Sequence, residues 1–395
     1  MKDLKIFTEN IEQTALDQIN LLMEQDAFKK AKVRIMPDVH AGAGCVIGFT
    51  ADLGDKVVPE VVGVDIGCGM SVSELGAVEI DYNRLDEIIR ENIPSGRNVH
   101  NGRAARFDLT QLRCYRELRD TKRLERSIGT LGGGNHFIEV DADKDGNQYF
   151  VIHTGSRNLG KQVCEYYQHL AIRTINGSFD IKKRKEELIA EYKATGRKAE
   201  IQDALKEIDR QYKPIERMPK DLCYLEGQYR DDYLHDMKLC QEFAILNRKT
   251  IADIVVEKMG WTVMDAFESI HNYIDHENNI VRKGAIAAYK GQQVIIPLNM
   301  RDGCIIGIGK GNEDWNCSAP HGAGRVLSRA KAKETISMDD YKQSMDGIFT
   351  TSVSEDTLDE SPMAYKPSEE IIRLVQDTVD IERIVKPVYN FKAAE

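Results

Sequence analysis

No stretch of about 18 consecutive apolar residues occurs in the chain, so a hydrophobic membrane-spanning helix is not among the expected elements. No CxxC pair occurs either, and the 8 cysteines stand singly in 395 residues. That density excludes a disulfide scaffold and the spacing excludes a zinc knuckle, so most of the thiols are expected to act as small buried hydrophobes. Positive charge is in deficit, with a formal net charge of -10. This argues against a protein that coats nucleic acid through bulk charge, but leaves room for a local basic cleft handling a few nucleotides. Internal repeats, low-complexity tracts and Pro/Ser-rich linkers are missing. Behind Met1-Lys2-Asp3-Leu4-Lys5 the chain turns polar, so no secretory leader is expected and the cytoplasm is the expected compartment.

What is present is an apolar fraction of 42%, ample for a packed core. The glycines are clustered, at 42–48, 63–69, 129–134, 155–160 and 303–324, and each cluster follows or interrupts a Val/Ile-rich run. Such runs read as short buried strands ending in tight turns, the places where functional groups usually sit. Between 179 and 217 Lys, Glu, Arg, Asp, Ala, Leu and Ile dominate, with Leu188, Tyr192, Ile201, Leu205 and Ile208 at mostly helical spacing and a break at Thr195-Gly196. This reads as an exposed helical hairpin whose mixed charges form a solvated face. Further helices are expected over 229–258 and 369–384. Strands and helices alternate without a regular βαβ rhythm, so the expected class is α+β. The expected organisation is one catalytic domain over 1–395 with the hairpin 179–217 inserted in it.

Five segments carry chemistry. In Val64-Asp65-Ile66-Gly67-Cys68-Gly69-Met70 an acid and a thiol three apart on a glycine-rich turn can converge on a cation, and a thiolate can bridge two. Ser127 to Val140 contains Gly132-Gly133-Gly134 followed at once by Asn135-His136-Phe137-Ile138-Glu139, a phosphate-cradling loop beside candidate ligands. His153 ends the apolar run Val151-Ile152, with Arg157 four residues on as a candidate phosphate clamp. His271 follows Ile270 in the same style. In Ala319-Pro320-His321-Gly322-Ala323-Gly324-Arg325 a histidine is flanked by small residues that admit a substrate closely. A neutral imidazole there can attack an activated phosphorus, and Arg325 can stabilise the developing charge. Each segment alone also fits a structural role. Together the Asp/Cys/His/His/His set suits a borderline metal such as Mn, Fe, Co or Zn.

Taken in order, the segments MPDVH, VGVDIGCG, GTLGGGNHFIE, HTGSRNLG, HNY, RKGA, HGAGR and PMAYK resemble the RtcB RNA ligase family over nearly the whole chain. The hairpin insert is the part that resembles it least. The resemblance implies that family's own α+β fold around a central two-metal pocket. It implies that Asp65, Cys68 and His136 bind one Mn²⁺ and that Cys68, His153 and His271 bind a second, with Cys68 bridging. It implies His321 as the nucleophile toward GTP. The guanylate would be lined by Asn135, His136, Phe137, Ile138, Glu139, His271, Asn272, Pro297, Leu298, Asn299, Met300, Cys304, His321, Gly322, Ala323, Gly324 and Lys392.

The implied activity joins RNA 3′-phosphate or 2′,3′-cyclic phosphate ends to 5′-hydroxyl ends, in tRNA splicing or RNA repair. The alternative is a divergent metal-dependent RNA-end phosphoesterase, or a specialised ligase for damaged RNA. A monomer acting on RNA is expected, with an activating protein partner as an open question and no membrane. The sequence departs from the family at Pro297-Leu298-Asn299-Met300, where the usual reading is Pro-Gly-Ser-Met, and at Cys304, where a serine is typical. These changes are expected to touch the guanylate pocket and no metal ligand.

Overall fold

The computed structural model describes residues 3–176, 178–211 and 218–392. Two sheets dominate. The first runs in the order Asp3–Ile6, Lys32–His40, Ile47–Asp52, Ile280–Lys283, Asn272–Asp275. Its first pair is parallel and the rest antiparallel. Lys32–His40 is buried along most of its length, as its run of apolar residues requires, yet it contains Pro37. Proline has no N–H for a ladder, so pairing with Ile47–Asp52 lapses between Ile35 and His40. Lys366 spans that irregularity, donating from Nζ to the carbonyls of Pro37 at 3.0 Å and Val39 at 3.2 Å.

The second sheet has eight strands. Seven are antiparallel neighbours in the order Gln293–Asn299, Gly303–Gly309, Val379–Lys392, Phe137–Ala142, Gln148–Thr154, Gly69–Gly76, Asp265–Ile270. Phe349–Thr350 adds to Val379–Lys392 in parallel. The sheet coils until its two end strands meet, where the Ile295 N–H donates to Ser269 Oγ at 3.1 Å. The result is a nearly closed barrel. Period-two alternation divides its faces. Phe137, Tyr149, Val151, Ile295, Cys304 and Val385 fill the inside. Ile138, Val140, Phe150 and Ile152 face outward onto Ile251 and Val255 of the helix Gly227–Met259 and onto Leu85 and Ile89.

That 33-residue helix ends at Gly260 in the left-handed region, matching the expectation over 229–258. The hairpin is present as helices Ser178–Ala194 and Ile201–Gln211. Positions 212–217 of the expected insert lie outside the described residues. The helix expected over 369–384 is a correction. Only Ser368–Val375 is helical, and Val379–Lys392 is a central strand of the barrel. Val379 and Ile381 alternate with Asp380 and Glu382 before a register shift, and cross-strand pairing on both sides wins over helix propensity.

Candidate active site

Four neighbouring barrel strands, Phe137–Ala142, Gln148–Thr154, Gly69–Gly76 and Asp265–Ile270, end together. Phe137 lies opposite His153, and Gly69 lies opposite both Thr154 and Ile270. One position from each of these ends stands His136, His153, Cys68 or His271. Antiparallel pairing therefore gathers four side chains that are distant in sequence, and Asp65 joins them from the turn before Cys68.

The donor atoms form two sets that share Cys68. Asp65, Cys68 and His136 are one, and Cys68, His153 and His271 the other; within each set the atoms lie inside 4.8 Å of one another. Cys68 Sγ is 3.5 Å from His136 Nε2 and 3.3 Å from His153 Nε2. His136 Nε2 is 2.9 Å from Asp65 Oδ2, and His153 Nε2 is 3.4 Å from His271 Nε2. The opposite ring nitrogens of His136 and His153 meet the carbonyls of Leu131 at 3.0 Å and Asn135 at 3.2 Å. A proton on each Nδ1 satisfies those contacts and leaves Nε2 a lone pair aimed at the cluster.

Burial first, then the neighbouring imidazoles, push His153 and His271 well below the ordinary range, so both are neutral. Burial also drives the Cys68 thiol well up, reinforced by Asp65. At Asp65 burial acts upward too, but His136 and Arg157 outweigh it and bring the carboxyl to about 2. The neutral imidazoles of His153 and His271, an ionised carboxylate and a sulfur shared between two donor sets fit two divalent ions of borderline softness.

The long helix positions these loops from behind. Asn247 Oδ1 accepts the N–H groups of Gly129 at 2.8 Å and Thr130 at 3.0 Å, and its Nδ2 donates to Gly155 O at 3.1 Å. Arg248, fully buried, donates to Gly67 O at 2.8 Å and Thr154 O at 2.9 Å. Neither residue carries a motif that sequence reading could use. Arg157, expected as a phosphate clamp, instead packs under His136, its guanidinium 3.2 Å from Nδ1 and 3.3 Å from Thr130 Oγ1. Gly132 has a φ of +83° and any Cβ there would collide with that guanidinium, so this glycine is fixed by packing as well as by the turn.

His321 stands beside the cluster, its ring centroid 4.9 Å from that of His271. Its Nδ1 lies 2.6 Å from Asp38 Oδ2, which also accepts the backbone N–H of His321 at 3.1 Å and of Gly322 at 3.2 Å. Asp38 is wholly buried. A carboxylate in that position holds the proton on Nδ1 and leaves Nε2 with a free lone pair, the arrangement by which a buried aspartate fixes a histidine tautomer. Gly324, at φ +75°, lets the loop pass so close to Asp38 that a Cβ would strike the Asp38 carbonyl. Asp38 lies inside the MPDVH segment, but nothing in the sequence alone assigns it this role.

His321 opens onto a cavity of about 260 Å³. Of the residues expected around a guanylate, Asn135, Phe137, Glu139, Asn272, Pro297, Leu298, Asn299, Met300, His321, Gly322, Ala323, Gly324 and Lys392 line it. His136 and His271 belong to the Asp/Cys/His donor cluster and are not on its wall. Ile138 alternates to the outside of the barrel. Cys304 is buried behind the wall, where its donor atom clusters with those of Glu139 and Asp141. Asn299 spends its amide on its own turn, accepting the N–H groups of Arg301 at 3.0 Å and Asp302 at 2.9 Å. Glu360 was not expected. It sits on the cavity wall against Lys392 at 2.7 Å, Arg325 at 3.3 Å and Arg329 at 3.5 Å. Arg325 thus lines the cavity as expected but is tied to a carboxylate. A second cavity of about 660 Å³ shares Lys392 and is lined by Arg90, Arg97, Asn98 and several Ser/Thr side chains.

Among the described residues no helix is long and apolar enough to cross a membrane. The chain matches the family profile described as tRNA-splicing ligase RtcB over residues 23–119 and 110–393. It is 31% identical to the RNA-splicing ligase RtcB of Escherichia coli K12, over 91% of this chain and 90% of that protein. It is 27% identical to the tRNA-splicing ligase RtcB of Archaeoglobus fulgidus, over 92% of this chain and 88% of that protein. With the family profile covering most of its length, a ligand cluster at the strand ends and a histidine held on a buried aspartate, the chain belongs to the RtcB family.

Proposed function

We propose that this chain is a GTP- and Mn²⁺-dependent RNA ligase that works through guanylate carried on Nε2 of His321. The observation that carries the reading is the Asp38–His321 pair beside a donor set in which one cysteine serves two clusters. Asp38 leaves His321 one free nitrogen, and the small residues Gly322, Ala323 and Gly324 leave it room. In this reading Nε2 attacks the α-phosphorus of GTP and pyrophosphate departs. The guanylate passes to an RNA 3′-phosphate, opened from the 2′,3′-cyclic form where needed. An RNA 5′-hydroxyl then attacks and GMP leaves. Two metals held by Asp65, Cys68, His136, His153 and His271 would offset phosphate charge and acidify bound water or hydroxyl. Lys392, Arg325 and Arg329 give the cavity wall positive charge in an otherwise acidic protein. The second cavity, with Arg90, Arg97 and Lys392 on its wall, suits an RNA backbone.

The test is incubation with α-labelled GTP and Mn²⁺, denaturing electrophoresis, then joining of matched RNA ends. The expected result is an acid-labile label on the protein, none on His321→Ala, and a joined product that chelator abolishes. Opening of cyclic phosphate with neither label nor joined product would identify a metal-dependent RNA-end phosphoesterase instead.

A further inference from the structure

Three adjacent strands of the barrel, Gly303–Gly309, Val379–Lys392 and Phe137–Ala142, bring polar side chains together in its interior. Glu139 and Asp141 are two apart on Phe137–Ala142, so they share the inner face with Phe137. Cys304 enters the same interior from Gly303–Gly309. One donor atom from each of Glu139, Asp141 and Cys304 lies within 4.8 Å of the other two. From the strand between, Asn390 stands opposite Glu139 and donates to it from Nδ2. Asp141 and Asn390 are both 0% exposed, yet neither carboxyl oxygen of Asp141 has a hydrogen-bond partner, nor has Oδ1 of Asn390. Burial raises Glu139 well above its ordinary range and Asp141 to about 6. The neighbouring cation, Lys392, is engaged by Glu360 at 2.7 Å. Two acids so placed carry a desolvation cost that a proton or a cation must remove. A proton bridging the two acids, with the Cys304 thiol donating to Asp141, would still leave Asn390 Oδ1 unmet. A cation accepts lone pairs from every one of these atoms.

We propose that Glu139, Asp141 and Cys304 form a metal site of their own, sharing no residue with the Asp65–Cys68 cluster, which takes one Zn²⁺ as a structural ion inside the barrel. A thiolate beside two carboxylates selects Zn²⁺ over Mn²⁺, both by the softness of sulfur and by the general order of divalent affinities. Donors already this close reach one ion at about 2.0–2.3 Å by small side-chain rotations. On binding, the Cys304 proton leaves to solvent and the thiolate takes the ion in its place. Three anionic ligands around Zn²⁺ leave one net negative charge, and the charge of Lys392 already acts on Glu139. Asn390 Oδ1 is the buried oxygen at hand for the fourth place. The ion enters from the nucleotide cavity, which Glu139 borders. Its effect is mechanical. It clamps Phe137–Ala142 to Gly303–Gly309 across the strand between them, and so fixes the wall behind that cavity.

The test uses the full chain carrying Cys68→Ala, so that the Asp65–Cys68 cluster has lost its shared sulfur. The protein is stripped with chelator, given Zn²⁺ alone, dialysed, and its zinc counted by elemental analysis. Loading with Co²⁺ then reads the ligands through the sulfur-to-cobalt charge-transfer band. The expected result is one equivalent of zinc with a sulfur band. Adding Cys304→Ser should abolish the band. Adding Asp141→Asn should weaken zinc binding by about 100-fold or more, at least the effect of losing a residue that only orients a ligand. Both changes nearly keep side-chain size, circular dichroism checks the fold of each, and either one alone decides the question. Any zinc left on the remaining histidines of the cluster would show no sulfur band and would not respond to Asp141→Asn. Failure of the Cys68→Ala protein to retain zinc would overturn the proposal, since a shared proton would then balance the acids. So would zinc whose affinity and cobalt spectrum neither added change moves. None of these readouts uses nucleotide, so a failure of guanylate capture bears on the ligase reading alone.

Discussion

Asp38 accepts three hydrogen bonds on one oxygen, two of them from backbone and one from His321 Nδ1. Asp38→Asn keeps the size of the side chain but can present its amide nitrogen to Nδ1, favouring a proton on Nε2, the nitrogen proposed to carry guanylate. Guanylate capture is expected to fall by about 10²-fold or more, with the melting temperature little changed, and His321→Ala should abolish capture outright. A rate of capture in Asp38→Asn within a few-fold of the parent would show that the aspartate is only structural. Cys68→Ala is expected to lower bound metal more than any single histidine substitution, because only Cys68 belongs to both donor sets. Elemental analysis showing two full equivalents of Mn²⁺ in that variant would refute a bridge. At Glu360 burial acts upward, but Lys392, Arg329 and Arg325 outweigh it and hold the carboxyl well below its ordinary value. Its contribution is therefore complete above about pH 4.3 and is lost as pH falls through the lower folded value. Glu360→Gln should cost about 3–5 kcal/mol at pH 7, with the gap to the parent narrowing in denaturant titrations below about pH 4.

At the scale of elements, the sequence was most legible where an apolar run meets glycine. Asp65, Cys68, His136, His153 and His321 sit close to such glycines, His271 ends the run at Ile270 with no glycine near it, and the structure brings all six together. Asn247 and Arg248 lie mid-helix and Glu360 lies in a short turn, where no local pattern separates a positioning residue from an ordinary one. The segment after 378 read as helix because its alternation is short, and only its partner strands fix it as barrel. Two predictions belong here. The helices Ser178–Ala194 and Ile201–Gln211 contribute no side chain to either cavity among the described residues. Replacing 179–217 with a short linker should therefore leave guanylylation of His321 intact, and loss of labelling in a folded deletion would refute this. In the loop Pro297–Met300, Leu298 is 2% exposed and packs with Ile296 and Ala323, yet its side chain still borders the cavity. The Leu298→Gly/Asn299→Ser double variant removes that wall and the turn held by Asn299. It should change nucleotide affinity while leaving Mn²⁺ content at two; identical GTP affinity in both proteins would show that the loop is redecorated without consequence.

For the molecule as a whole, the site and the closure of the barrel are one construction. Four ligand positions stand at the common end of four adjacent strands, and one buried helix residue, Arg248, ties the Asp65–Cys68 turn to the end of the His153 strand. Without metal, the cluster holds a thiol and three imidazoles in mutual contact with few protons to share among them. Bound cations would replace that mismatch with coordination, so metal binding must report on global stability and not only on a loop. At free Mn²⁺ about 100-fold above its dissociation constant, linkage adds about 2.7 kcal/mol per site, a shift of several degrees in the melting temperature. Arg248→Met, which keeps the bulk of the side chain and removes its donors, leaves the carbonyls of Gly67 and Thr154 unpaired and loosens the strand ends. It is expected to melt lower than the parent in chelator and to gain less from Mn²⁺. A melting temperature in the parent that is unmoved by Mn²⁺ across a titration to saturation would show that the cluster is not a metal centre. A full Mn²⁺ shift in Arg248→Met would show that the helix supports the barrel without organising its site.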